Sequence, residues 1–208
     1  MWFEITSEDS DIALQFASET VHRTYNRMGY DNTPGSLDKR QFHIYVGKVA
    51  ERVVFRYLQE VLGLSVIQGT DTGGPDKFDF RIEDLDRHIL GDVKSFHVYR
   101  TWESQIRRES QIEQNAWALV PIDQYHRQPK DLYIFTIILG DKFGRTLDLV
   151  SDRAGICFMR WATHRDIGYW ELVRQGTPVF PYNRTRTDNY GQKISVCRSM
   201  RTFHIQNF

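Results

Sequence analysis

Phe78-Asp79-Phe80-Arg81-Ile82, a hydrophilic break over Glu83 to His88, and then Ile89-Leu90-Gly91-Asp92-Val93-Lys94-Ser95-Phe96-His97-Val98 together decide the fold. The first segment alternates apolar and polar residues, the mark of a strand with one buried face. The second reads as its partner, and the break between them closes a hairpin. Residues two apart on a strand project to the same face, so Asp92 and Lys94 point together while Val93 points into the opposite layer. Phe78 and Phe80 take the buried side of the first strand and push the Asp79 carboxylate to the other. With the strands paired so that Asp79 lies near Asp92, two carboxylates and one ammonium converge on one patch.

Upstream of this hairpin, residues 1–20 read as an amphipathic helix, with Ile12, Phe16 and Thr20 at helical spacing. A turn-rich stretch, Asp31-Asn32-Thr33-Pro34-Gly35-Ser36, follows. Ser36 is placed to cap a long helix to about Leu62, with Phe42, Val46, Val49, Val53, Val54, Tyr57, Leu58 and Val61 on its buried stripe. Gly63 suits its end. Leu64 to Ile67 reads as a short strand and Gly69 to Pro75 as a loop.

Downstream, Trp102 to Trp117 reads as a second helix, and Asp131 to Leu139 as a long apolar strand suited to a sheet centre. Short strands are expected over Leu147–Val150, Ile156–Met159, Ile194–Val196 and Thr202–Ile205, with a helical segment from His164 to Arg174. The whole describes a mixed α/β layered fold.

A length of 208 residues fits one domain, and 40% hydrophobic with 13% aromatic residues is enough for a core. Lys plus Arg and Asp plus Glu both number 27, so bulk charge does not advertise nucleic acid. The balance hides an asymmetry: the start is acidic, and the last quarter, with Arg184, Arg186, Arg198 and Arg201 among nine cations, offers a basic surface. Two distant cysteines, Cys157 and Cys197, suit buried free thiols better than zinc or a disulfide framework. The longest apolar run, Leu132 to Leu139, is far too short to cross a bilayer. Met1 to Thr20 holds five acidic residues and no Lys or Arg, unlike a signal peptide, so the expected compartment is the cytoplasm.

Two close carboxylates repel unless a cation lies between them. Oxygen ligands of this kind suit magnesium, with manganese as a substitute, and not zinc. A lysine beside such a metal can hold an attacking water or neutralise phosphate charge, both of which help hydrolyse a phosphodiester. Glu51, on the long helix away from its apolar stripe, adds a third carboxylate.

Glu51, Asp79 and Asp92-Val93-Lys94, in the order helix, strand, strand, resemble the PD-(D/E)XK nuclease superfamily with its restriction-endonuclease-like fold. Gly47-Lys48-Val49-Ala50-Glu51 is similar to the family's helical glutamate motif, and Gly91-Asp92-Val93-Lys94-Ser95 to its signature strand. The resemblance covers about residues 40–140. It implies a central mixed sheet flanked by helices, with a nuclease core over about 36–150 and a mixed C-terminal extension over about 151–208. It further implies that Asp79, Asp92 and the Val93 carbonyl hold the metal, that Glu51 binds a second ion or orients water, and that Lys94 positions the nucleophile. The implied function is a DNA endonuclease of restriction or phage type. The alternatives are an exonuclease or junction resolvase of the same fold, or a DNA-binding protein that keeps the fold without turnover. A homodimer suits the cutting of two strands.

Pro75-Asp76 also supplies a literal proline–aspartate pair. Asp79 is preferred because alternation sets it inside the strand, whereas Asp76 sits in a Gly-Pro loop. The same residues also fit a cross-strand ion pair on a wet sheet face. Gly69 to Gly74 carries a P-loop-like spacing, but Pro75 stands where the lysine should be. His43 and His97 are candidate phosphate contacts, and Gln111 and Gln114 candidate polar neighbours of the site. Arg107, Arg108, Arg184 and Arg186 are the candidate contacts to a DNA backbone.

Overall fold

The computed structural model describes residues 2–24, 36–69, 78–84, 87–98, 109–140, 142–143, 146–147, 156–180 and 184–207. Strand β1 (Trp2–Glu4) precedes helices α1 (Ser7–Thr24) and α2 (Ser36–Arg56), and α2 widens into a π-helical turn over Tyr57–Val61. Strands β2 (Ser65–Gln68), β3 (Phe80–Asp84) and β4 (Arg87–Val98) follow. Helix α3 (Glu109–Asn115), strand β5 (Trp117–Pro121) and helix α4 (Ile122–Arg127) lead to β6 (Leu132–Leu139). A small ribbon, β7 (Lys142–Phe143) with β8 (Thr146–Leu147), comes next. Then follow β9 (Ile156–Thr163), α5 (His164–Ile167), β10 (Glu171–Val173), β11 (Asn189–Lys193) and β12 (Arg198–Ser199).

Among the described residues the main sheet has seven strands in the order β1-β9-β6-β4-β3-β2, with β12 also paired to β9. The β4–β6 pairing is parallel and its other pairings are antiparallel, so this is a mixed α/β sheet. A second sheet runs β10-β11-β5. No helix among the described residues is long and apolar enough to cross a membrane.

All eight residues of β6 are buried, as a central strand with covered faces requires. Ile134 and Ile138 join the core under α1 and α2, while Phe135 and Ile137 join a second core that includes Ile112 of α3 and Val120 of β5. The predicted stripe of α2 is buried from Phe42 to Leu58, but Val61 is 53% exposed. The π turn inserts an extra residue per turn there and rotates Val61 off the core face. Gly63 does end the segment, with φ of +66°. Ser36 is the first helical residue; its side chain lies outside the described residues.

A strand precedes α1, and the buried stripe is Ala13, Ala17 and Val21, with Ile12 turned outward. Small residues at i and i+4 let α1 lie close on α2, which outweighs the larger apolar residue beside them. Trp117 lies in a strand and not in a helix, because Ala118 and Val120 bury alternately against β11. The helix expected from His164 to Arg174 stops at Ile167: a Thr163–Asp166 capping box starts it, Gly168 follows, and Glu171–Val173 is a strand. Ile194–Val196 is a single 3-10 turn with Val196 66% exposed, and Met200–Thr202 and Ile205–Asn207 are 3-10 turns as well. The residues expected to turn over 83–88 mostly belong to strands, since β3 runs to Asp84 and β4 starts at Arg87. Cys157 and Cys197 are free and buried, as expected, and burial pushes both thiols up, Cys197 to about 12.

Candidate functional site

The β3–β4 pairing puts Phe80 opposite Gly91, so Asp79, one residue before β3, comes opposite Asp92. Asp79 therefore lies in a bend at the strand's start and not inside the strand. Its N–H donates to the Gly91 carbonyl at 3.0 Å, and its carboxylate Oδ2 accepts the Val93 N–H at 2.6 Å. The carboxylate thus takes the ladder position that the next residue of a longer β3 would have filled. The N–H and C=O of one strand residue face the same neighbour, so the Val93 carbonyl is aimed to this side too. Two glycines make the approach possible. A Cβ on Gly69 would lie 2.1 Å from the Phe78 carbonyl oxygen, and one on Gly91 would lie 2.0 Å from the Phe80 ring.

Asp92 and Lys94 share a face, as strand alternation requires. The Lys94 Nζ lies 2.5 Å from Asp92 Oδ2 and donates to Gln124 Oε1 at 2.8 Å, and Gln124 Nε2 donates to Asp92 Oδ1 at 3.0 Å. Asp92 is 6% exposed, so the patch does not lie open on a wet sheet face. The Lys94 ammonium is therefore the counter-charge of the buried Asp92 Oδ2. Asp92 looks toward Tyr133, whose hydroxyl is pushed up to about 12, mainly by burial and further by the Asp92 charge. Gln124, on α4, is the residue that sequence reasoning missed. It takes the part expected of Gln111 or Gln114: Gln114 is exposed, and the Gln111 side chain lies outside the described residues. The only sequence signal for Gln124 is a polar residue in a short helix just before the central strand.

Glu51 approaches from α2, which packs on the opposite face of the sheet from Tyr133. Its Oε2 pairs with Lys48 Nζ at 2.9 Å, and Lys48 is 5% exposed. Asp79, at the strand end, feels both faces. Burial raises its pKa well above the ordinary carboxylate value, and the charges of Asp92 and then Glu51 raise it further, against the lowering effect of the Val93 N–H and Lys94. The geometry therefore brings Asp79, Asp92 and Lys94 together with the Val93 backbone, and sets Glu51 within electrostatic reach of Asp79.

Among the described residues no group of three or more His, Cys, Asp or Glu side chains could by itself hold a metal ion. The raised Asp79 calls for added positive charge beside it, and the Asp79 and Asp92 carboxylates offer the hard oxygens that would suit magnesium or manganese.

A cleft of about 510 Å³ opens beside Lys94. His43, Ser95, His97, Arg184 and Arg186 are among the residues that line it. Two of the four candidate backbone-contacting arginines thus share a cleft with the candidate catalytic lysine. Arg107, Arg108 and Asp76 lie outside the described residues. The His97 Nε2 is 2.7 Å from the Gly140 carbonyl, which can only accept, so this nitrogen donates. Comparison with family models, curated proteins and solved structures finds no match for this chain.

Proposed function

We propose that the protein is a metal-dependent nuclease with a restriction-endonuclease-like core, hydrolysing phosphodiester bonds in DNA. The observation that carries this reading is the meeting of Asp79, Asp92 and Lys94 at the end of β3, with the Asp79 carboxylate turned onto the Val93 N–H and Asp92 buried. Asp79, Asp92 and the Val93 carbonyl would hold magnesium or manganese, and Glu51 would orient water or a second ion. The bound ion supplies charge neutralisation at the scissile phosphate and a more acidic water.

The chain's own residues then have distinct tasks. Lys94 presents an ammonium to the attacking water and to the negative charge that builds on phosphorus. Gln124 bonds to both Lys94 and Asp92 and so positions the two side chains relative to each other. In the hydrolysis the water oxygen bonds to phosphorus, the phosphorus–oxygen bond to the leaving strand breaks, and the water's protons pass to solvent and to the departing hydroxyl. Release of 5′-phosphate ends is the outcome that the resemblance implies.

A cleavage screen in magnesium and in manganese, across supercoiled, linear, branched and single-stranded DNA and RNA, tests the proposal. Cleavage that EDTA abolishes is expected. Asp92→Asn and Lys94→Met, which keep side-chain size, should each lose roughly 100-fold or more in rate while their melting curves stay cooperative. Lys94→Met protein that cleaves at the parent rate would sink the assignment. A second reading, DNA binding without turnover, draws on the closed Lys94–Asp92–Gln124 contacts, which also work as a structural cluster. Binding with no metal-dependent cleavage of any substrate favours it.

A further inference from the structure

We infer that the cleft beside Lys94 is a strand-binding site that takes a single-stranded stretch of DNA, with backbone phosphate against Arg184 and Arg186; this rests on the nuclease reading above. Volume argues first. About 510 Å³ lies within the range of small-ligand pockets, roughly 300–1,000 Å³. That accommodates a unit of nucleotide size. A base that is still stacked and paired in a duplex cannot enter a pocket of that size without leaving the helix.

The chemistry of the walls argues next. Sites for single strands combine cations that follow the backbone with flat side chains and apolar surface for the bases. Here Phe42, Leu119 and Pro121 supply apolar lining, and exposed His43 presents a ring. Arg184 and Arg186 are both exposed and both line the cleft, on either side of Thr185, which is 6% exposed.

This arginine wall is built, and is not a loose tail. Thr185 Oγ1 donates to the Arg174 carbonyl at 2.7 Å, and the Thr185 backbone pairs with Thr177 and Gly176. Asn189 Nδ2 donates to the Thr187 carbonyl at 2.6 Å, and Asp188 accepts from the Gln175 N–H at 2.7 Å and from Arg174 at 2.9 Å. The anchors on both sides of the arginines preorganise them, which lowers the entropic cost of binding. Lys94 lines the same cleft and pairs with Asp92, which connects the cleft to the candidate catalytic group.

The test measures binding in EDTA, which separates it from cleavage. Fluorescence anisotropy compares a labelled single-stranded DNA, the same sequence as RNA, and a duplex closed by hairpins at both ends. The single strand should bind about tenfold or more tighter than the closed duplex, and joint replacement Arg184→Ala with Arg186→Ala should remove about tenfold or more of that affinity. Thermal melts verify that the double variant is folded. Equal affinity for closed duplex, preference for RNA, or a double variant that binds like the parent overturns the inference. If the strand binds through the arginines but nothing is ever cleaved in magnesium or manganese, the nuclease reading fails and the cleft stands. If closed duplexes are cleaved as fast as single strands by parent and double variant alike, the nuclease reading stands and the cleft fails.

Discussion

Asp79 combines two constraints that would be incompatible in an open strand. Its carboxylate closes the hydrogen-bond ladder on Val93, and it does so beside two other carboxylates in a half-buried bend. Burial and the neighbouring charges of Asp92 and Glu51 raise its pKa above the ordinary 3.8. An acid raised in the folded state binds more protons folded than unfolded across that interval, so stability falls as pH climbs through it. Melting temperatures should therefore decline from about pH 4 upward, the ordinary Asp value, until Asp79 is fully ionised. Asp79→Asn should flatten the decline, because the proton-linked charge is gone. An unchanged slope in the variant would show that the repulsion arises elsewhere. At this scale the sequence was partly legible. Types and spacing singled out Asp79, Asp92, Lys94 and Glu51, but Gln124 could not be read as a site neighbour. It is defined by packing between elements distant in the chain, whereas Lys48, one helical turn before Glu51, pairs with it by local spacing.

The β3–β4 hairpin is the element on which the site depends. Phe80 is 2% exposed and lies over Gly91, directly before Asp92. A methyl group on Gly91 would have to displace that ring. Gly91→Ala should cost about 1–3 kcal/mol by overpacking, read from urea denaturation, and should lower metal-dependent cleavage as Asp92 shifts. Full stability in the variant would mean that Phe80 has room to move. The hairpin itself was readable, since its alternation survives as β3 and β4, but its boundaries were not. Polar Glu83, Asp84, Arg87 and His88 read as a turn because nothing in their composition shows that pairing extends to the tip. The helix expected to reach Trp117 failed for a related reason: Trp117 to Val120 acquire their strand character from β11, seventy or more residues later. Pairing partners so remote are invisible to local periodicity.

At the scale of the whole molecule, net charge is zero, yet three cations, Lys94, Arg184 and Arg186, line one cleft. Lys94 pairs with Asp92, and the proposed phosphate contacts are the exposed Arg184 and Arg186. Two contacts imply a shallow salt dependence, a log–log slope of roughly −1 to −2 for single strands. Titrations across salt concentrations measure it, and a slope of about −4 or steeper would demand a much broader footprint. The amino-acid sequence determined by itself the long apolar-striped helix, the central strand and the carboxylate–lysine hairpin, because each is written in contiguous residues whose periodicity reports burial. Only the tertiary structure decided that Asp92 is buried, that Gln124 bridges it to Lys94, and that arginines near the chain's end face the same cleft. Those facts come from elements meeting across the sheet, where distance along the chain carries no information about distance in space.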